Sequence, residues 1–486
     1  MTDTIRIHTI RAALGLSALM CSASLAPPVW AQSGTETEAG QGVPSDLPGS
    51  TDQAAAPKGF WERDTLTGDW GGLRSSLEES GIKIGGVYTG EALGNPSGGL
   101  RQRAVAEGLL EIDIDTDFDK LIGWQGLTFH TSLFQIHGRS MSANFLSNQF
   151  TVRDIEAAPA GRIWAMWLQQ SFYGELASLR VGQMPEQEEF CVSANGAYFI
   201  NGTFGWPIGF AANMPSGGGA YPLAMTGARI KVQPIPDLAI LTAVFNGDPA
   251  PMIYSNNADP QRRNRYGINF DTNQPPHWFG EVQYGLNQGE DAAGLPAMFK
   301  LGGWYHNGRF LDQHYDNQGV SLGSSRTDNI AKTYRGSWGI YGIVDQMLWK
   351  QPGTKDGGIS AFTRLFVSPE DRSAMPYYDE VGLTWKGMFE DRDDDVAGIA
   401  IGYGKMSPGL AGRDRDSITL GGGNTTVRDF ELVAELLYRA QMTPWFTLVP
   451  NVQYVMHPGG GIGYPDQPAT RIPDTTVVGL RAVLKL

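Results

Sequence analysis

Cysteine is nearly absent, with Cys21 and Cys191 the only two in 486 residues. Cys21 lies in a segment with the marks of an export signal. Arg6 and Arg11 precede an apolar run from Ala12 to about Leu25, and Pro27-Pro28-Val29-Trp30-Ala31 ends on a small residue, so cleavage is expected after Ala31. Met20 is too bulky to precede a lipid-attachment cysteine, which argues against a lipoprotein. The mature chain then keeps Cys191 alone, and no intramolecular disulfide is possible even in an oxidising compartment.

A long apolar helix is also missing. Beyond the signal no stretch reaches the ~18 consecutive apolar residues that span a bilayer as a helix, so export leaves periplasm, outer membrane or medium as destinations. Basic surplus is lacking too: after cleavage 35 Lys/Arg face 50 Asp/Glu, a net charge of −15 that excludes a nucleic-acid partner. Catalytic signatures fare no better. The mature histidines (His130, His137, His277, His306, His314, His457) are scattered without metal-binding spacing, and no G-x-S-x-G elbow is present. The acidic run Asp391-Arg392-Asp393-Asp394-Asp395 lacks the ligand spacing of a calcium loop and reads as a solvated turn. No enzyme activity, metal or cofactor is expected.

What the chain does have is 63 glycines and 51 aromatic residues. That mixture suits a barrel with glycine-rich turns and aromatic girdles, or a large secreted all-β protein. Residues 32–57 read as a flexible leader. The next segment, 58–81, holds a short helix capped by Asp69, with Trp70, Leu73 and Leu77 on one face and Gly81 closing it. From Ile82 to Leu486 the hydrophobic period is two. Leu110, Ile112, Ile114 and Phe118 share one face of a strand, opposite Glu111, Asp113, Asp115, Asp117 and Asp119. The last segment sets Val478, Leu480, Ala482, Leu484 and Leu486 against Gly479, Arg481 and Lys485.

Sixteen such segments can be counted, near 82–92, 107–119, 126–138, 162–173, 177–184, 226–233, 238–246, 280–286, 298–306, 336–346, 357–367, 379–387, 396–406, 428–441, 445–457 and 475–486. Pro450 predicts a bulge in the fifteenth. Short turns (173–176, 234–237, 442–444) alternate with long loops (139–161, 185–225, 247–279, 307–335, 407–427, 458–474), as in a barrel with both termini at one rim; the turns near 287–297 and 347–356 are longer than ideal. In hydrocarbon every backbone polar group needs a partner within the protein, so strands span only as a closed cylinder. The expected fold is an all-β transmembrane antiparallel barrel of sixteen strands with a short N-terminal helix. A cylinder this wide leaves inward charges facing water. Glu111, Asp113, Asp115, Arg229, Lys231, Glu431, Glu435, Arg439 and Arg481 are the expected lumen lining, either guiding solutes or only solvating the wall.

Six stretches go further than periodicity: LTGDWGGLRSSLEESGI (66–82), DFDKLIGWQGLTFHTSLFQIHGRSMS (117–142), LRVGQMPEQEEF (179–190), FINGTFGWP (199–207), ELLYRAQMTPWFTLVPNVQYVMHPGG (435–460) and VVGLR (477–481). In these the chain resembles the carbohydrate-selective porins of the OprB family over nearly its whole mature length. The resemblance implies a sixteen-stranded outer-membrane barrel, facilitated diffusion of monosaccharides such as glucose, and a third outer loop, here 185–225, folded inward to narrow the pore. Two features depart from it: Leu486 in place of a terminal aromatic, and Glu188-Glu189 where an aspartate-containing stretch is expected.

A sugar offers hydroxyls that donate and accept and a weakly apolar C–H face, so an eyelet needs charged groups beside an aromatic platform. Arg101 and Arg103 are candidate donors or plain loop charges, Glu188 and Glu189 candidate acceptors, and Trp206 a candidate platform or loop-packing residue. Binding must stay near ~millimolar, about −4 kcal/mol, for the solute to leave. Expected partners are small sugars, outer-membrane lipid and the barrel-assembly machinery, with the barrel a monomer or homotrimer. A nonselective pore and an outer-membrane or secreted hydrolase are the competing readings.

Overall fold

The computed structural model describes residues 59–253, 255–289 and 292–486; the expected signal peptide and leader lie outside the described residues. Sixteen strands form one closed antiparallel barrel in which each pairs with its sequence neighbours and the last pairs with the first. They are β1 (Ile82–Ser97), β2 (Ala104–Asp117), β3 (Leu127–Gly138), β4 (Ala160–Phe172), β5 (Ala177–Met184), β6 (Met225–Ile235), β7 (Leu238–Asn246) and β8 (Pro276–Leu286) in the first half. The second half comprises β9 (Ala297–Asp316), β10 (Ala331–Lys350), β11 (Gly358–Val367), β12 (Tyr377–Lys386), β13 (Val396–Lys405), β14 (Phe430–Thr443), β15 (Phe446–Met456) and β16 (Thr475–Lys485). All sixteen segments read from the two-residue period are strands. β9 and β10 run well past the segments read for them, because pairing continues beyond the alternating core from Ala331↔Asp316 to Gln346↔Ala297.

Closure follows from β16 lying along β1, with Arg481 opposite Glu91 and Leu480 opposite Ala92. Leu486 takes part through its backbone, whose N–H donates to the Gly86 carbonyl at 2.8 Å. Both ends of the described barrel meet at the rim of short turns. There Leu66 N–H donates to Lys485 O at 2.7 Å, and the Trp445 indole donates to Phe60 O at 3.0 Å.

Alternation sorts side chains between two media. Outward positions such as Leu365, Val381, Ile399, Leu436 and Leu480 are exposed and apolar. Aromatics gather toward the rims: Trp278, Tyr305 and Trp338 occupy adjacent registers toward the loop end, while Tyr284 pairs with Phe299 toward the turn end. An apolar band between aromatic girdles is the outer surface a barrel presents to lipid.

Two local expectations fail. Pro450 makes no bulge: β15 keeps register with β16 through Pro450↔Leu480, and its pairing with β14 has the same offset at Leu437↔Asn451 and Ala440↔Leu448. The ring removes one donor and the ladder simply skips it. The helix Leu73–Glu79 has Gly72 at its N-cap; Asp69 instead accepts from Ser75 N–H at 2.9 Å and Ser75 Oγ at 2.7 Å. Of the apolar face expected here, Trp70 and Leu73 are exposed and Leu77 is half-buried. Gly81 does take positive φ, at 94°.

If the outward rows face hydrocarbon, Val381→Arg in the middle of β12 should destabilise the folded barrel by ~2–4 kcal/mol. Urea titration of refolding into lipid vesicles measures this, and a change within error of zero would contradict the assignment.

Candidate functional site: a polar passage beside a packed loop

The 185–224 loop turns into the barrel and packs there. Its Phe190 stacks on inward Phe279 of β8 at 4.9 Å between ring centroids, and Phe210 meets Phe366 of β11 at 4.8 Å. Phe199 and Phe204 join Phe362, Tyr378, Val433 and Leu437 in the same buried cluster. Apolar groups thus fill the β7–β15 side of the interior, where periodicity alone predicts a watery wall.

A loop in this position carries backbone N–H groups that water cannot reach, and each needs an acceptor. Wall carboxylates supply them. Glu435 accepts from Ile200 N at 3.0 Å and Asn201 N at 2.9 Å; Glu281 accepts from Cys191 N at 2.8 Å; Asp345 accepts from Asn195 N at 3.1 Å. Glu431 does the same for the 139–159 loop, taking Gln149 N at 2.9 Å and Phe150 N at 2.7 Å. Loop carbonyls find a matching cation in Arg364, which donates to Cys191 O at 2.6 Å and Phe204 O at 2.7 Å while paired to Glu380 at 2.8 Å. The loop ends are clipped by Glu186, whose N–H donates to Gly219 O at 2.6 Å and whose carboxylate lies 2.7 Å from His277 Nδ1.

Solvent-reachable inward groups remain on the opposite side, along β2–β6. Glu111, Asp115, His130, Trp167 and Lys231 are half-buried, and Glu188, deep inside on the short helix Glu186–Glu189, is exposed. The β3–β4 ladder slips by one residue between Ser132↔Ala165 and Leu133↔Ile163, leaving Trp164 as the extra residue. Its indole N–H donates to Glu188 Oε1 at 2.9 Å, while its ring stacks on Phe134 at 5.3 Å. Arg180 of β5 lies 3.6 Å over the Trp167 ring and, together with Arg229 of β6, clamps Glu189. Burial pushes the Glu189 carboxyl up, but the two guanidinium groups outweigh it and hold its pKa below the ordinary value. His130 stacks on Trp167 at 4.9 Å and contacts Asp115 at 2.7 Å. Next to β2, Arg153 and Arg481 share Glu91 of β1, and Arg481 also binds Asp154. Glu156 accepts from Ser142 N at 3.1 Å and Ser142 Oγ at 2.9 Å; burial raises its pKa to about 7 against those bonds.

The structure therefore divides the residues singled out from sequence. Glu188 and Glu189 meet the passage. Glu111, Asp115, Lys231 and Arg481 point into it, and Asp113 and Arg229 stand on the same wall but are buried. Glu431 and Glu435 point inward yet are covered, serving as loop anchors instead of a water lining. Arg439 is half-buried on the inward face toward the turn end. Arg101 and Arg103 stay exposed on the short β1–β2 connection, and among the described residues no hydrogen bond or ion pair joins them to Glu188 or Glu189. Trp206 is buried against Phe210 at 4.3 Å, so its ring is no open platform. Trp164, Trp167, His130 and Arg180 were not singled out. Arg180 alone had a plain signal, a polar residue between Leu179 and Val181 in an alternating strand.

Removing an anchor should loosen the constriction. Glu435→Ala leaves two buried N–H groups without their acceptor, at about 1–3 kcal/mol each, and should give larger, noisier single-channel conductance steps. Steps unchanged in size and noise would show that the loop is held without it.

Comparison with known proteins agrees with this architecture. Residues 101–486 match the family model described as carbohydrate-selective porin, OprB family. The chain is 23% identical over 427 residues to Porin B of Pseudomonas aeruginosa, covering 84% of this chain and 89% of that protein. In fold it is similar to the high-pH structure of Pseudomonas putida OprB, with TM-score 0.76, 22% identity, and 88% and 100% of the two chains covered. The low-pH structure of the same protein matches with TM-score 0.52, 17% identity and coverages of 87% and 99%. A family match over this much of the sequence, joined to a closed sixteen-stranded barrel with an inward-packed loop, makes the chain an outer-membrane channel that belongs to the OprB family of carbohydrate-selective porins.

Proposed function

We propose that the chain lets glucose-sized monosaccharides diffuse passively into the periplasm through the passage along β2–β6. The observation that carries this reading is the placement of Glu188, solvent-reachable deep inside the barrel and held by Trp164 beside the Arg180–Glu189–Arg229 clamp. Carboxylates accept hydroxyl protons and guanidinium groups donate to hydroxyl oxygens, so one ring of sugar hydroxyls can trade water for protein at each step. The partners are already fixed before the sugar arrives, which limits the ordering cost of each contact. Contacts are few and remain hydrated on one side, in keeping with the weak binding that throughput demands. Small sugars are the proposed permeants, with outer-membrane lipid around the barrel and the barrel-assembly machinery needed for its insertion.

Liposome swelling across stereoisomeric hexoses and disaccharides tests this. Hexoses of equal size should enter at different rates, disaccharides more slowly than any of them, and a preferred hexose should lower single-channel conductance. Rates that follow solute size alone would instead establish a nonselective pore.

A further inference from the structure

On the wall of this passage stand three carboxylates, Glu111, Asp113 and Glu188, for which no ion pair is seen among the described residues. Glu111 and Asp113 are two residues apart on β2 and therefore share its inward face. Glu111 accepts from Ser132 Oγ at 3.1 Å and interacts electrostatically with both Asp113 and Glu188. Glu188 accepts from the Trp164 indole at 2.9 Å. Asp113 is 2% exposed, and neither of its oxygens has a hydrogen-bond partner. Neighbouring cations have their ion pairs elsewhere. Arg180 and Arg229 pair with Glu189 and His130 with Asp115, while His130 acts on Asp113 and Glu188, and Arg180 on Glu188, only electrostatically. Arg153 pairs with Glu91, and Arg481 with both Glu91 and Asp154.

Resting on the porin reading, we infer that the Glu111–Asp113–Glu188 wall makes this pore prefer cationic solutes, with protonated amino sugars its favoured sugar class. A buried carboxylate without a donor is costly, and crowding it with two more of the same sign raises the cost. A passing ammonium group does not reach Asp113, but beside Glu111 and Glu188 it offsets the repulsion among all three. The groups flanking the three acids suit a sugar as well as a cation, since the Ser132 hydroxyl lies beside Glu111 and the guanidinium of Arg180 beside Glu189. An anion meets the same wall with the opposite sign, and the Arg180–Glu189–Arg229 clamp offers it cations whose charge is already partly cancelled.

Two measurements on the full-length protein decide the matter. In planar bilayers under a potassium chloride gradient, the reversal potential should take the sign of cation selectivity. In swelling assays at neutral pH, glucosamine should enter about five-fold faster than N-acetylglucosamine at low salt, as one charge pair worth ~1 kcal/mol would give, and the advantage should shrink as salt is added. The variant E111Q/D113N, which leaves Glu188 and the Arg180–Glu189–Arg229 clamp in place, should bring both readouts toward neutrality while conductance steps persist. An anion-selective reversal potential, or equal entry of the two sugars in the wild-type protein, overturns the inference while leaving the porin reading intact. Absence of any conductance steps or swelling would overturn that reading itself.

Discussion

A long loop folded into a barrel brings unpaired backbone with it, and the rest of this structure depends on how that backbone is satisfied. In a soluble protein such a segment would lie on the surface, where water serves its N–H groups. Here the acceptors are wall carboxylates, Glu281, Asp345, Glu431 and Glu435, each aimed at N–H groups of an incoming loop. Arg364 does the converse for carbonyls, and Glu380 balances its charge. Hydrogen bonds to charged groups are worth ~1.5–3 kcal/mol apiece. Several of them together fix the loop in one place and leave the aromatic side chains to fill the space between.

That fixing makes the interior lopsided, and the lopsidedness produces a passage. A cylinder of sixteen strands is too wide for selectivity if it is simply open. Packing Phe190, Phe199, Phe204 and Phe210 against Phe279, Phe362 and Phe366 removes one side of the bore from solvent. What remains runs along β2–β6, where the inward residues are charged, aromatic and reachable. Selectivity follows from where the loop is not, and the loop's position follows from buried ion and hydrogen-bond chemistry on the far wall.

The same division decides how much was legible in the amino-acid sequence. The strands were legible because a wall between two media imposes a period of two over most of each strand. The loops' lengths were legible because turns and loops alternate by topology. Facing was legible as well: Glu431, Glu435, Arg229 and Arg481 all point inward as the period requires. What the period cannot carry is what a loop brings against an inward residue from far along the chain. Glu435 meets Ile200 across more than two hundred residues, so its change from water-lining charge to buried anchor has no local signal. For Trp206 and the Arg101–Arg103 pair the sequence left two readings open, and the structure places them as a loop-packing ring and exposed loop charges. Their chemistry suits an eyelet, yet packing puts the ring under Phe210 and leaves the arginines on the rim.

The slip between β3 and β4 is a place where the wall itself answers the loop. Several register irregularities of the barrel sit toward strand ends, as at Gly94/Ser97, Met347/Trp349 and Gln441/Thr443, and another interrupts the long β9–β10 ladder at Arg335/Ser337. The one at Ser132/Leu133 falls in the middle of β3. A regular ladder would alternate Ile163, Trp164 and Ala165 across the wall; the extra residue lets Trp164 turn inward beside Ala165 without reversing any later position. The strand gives up a ladder position in order to place one indole N–H against Glu188 and one ring against Phe134. A bulge so far from either rim does nothing for closure, since β1 and β16 already provide that. Its effect is on the passage, where it gives the Glu188 carboxylate an indole N–H as donor.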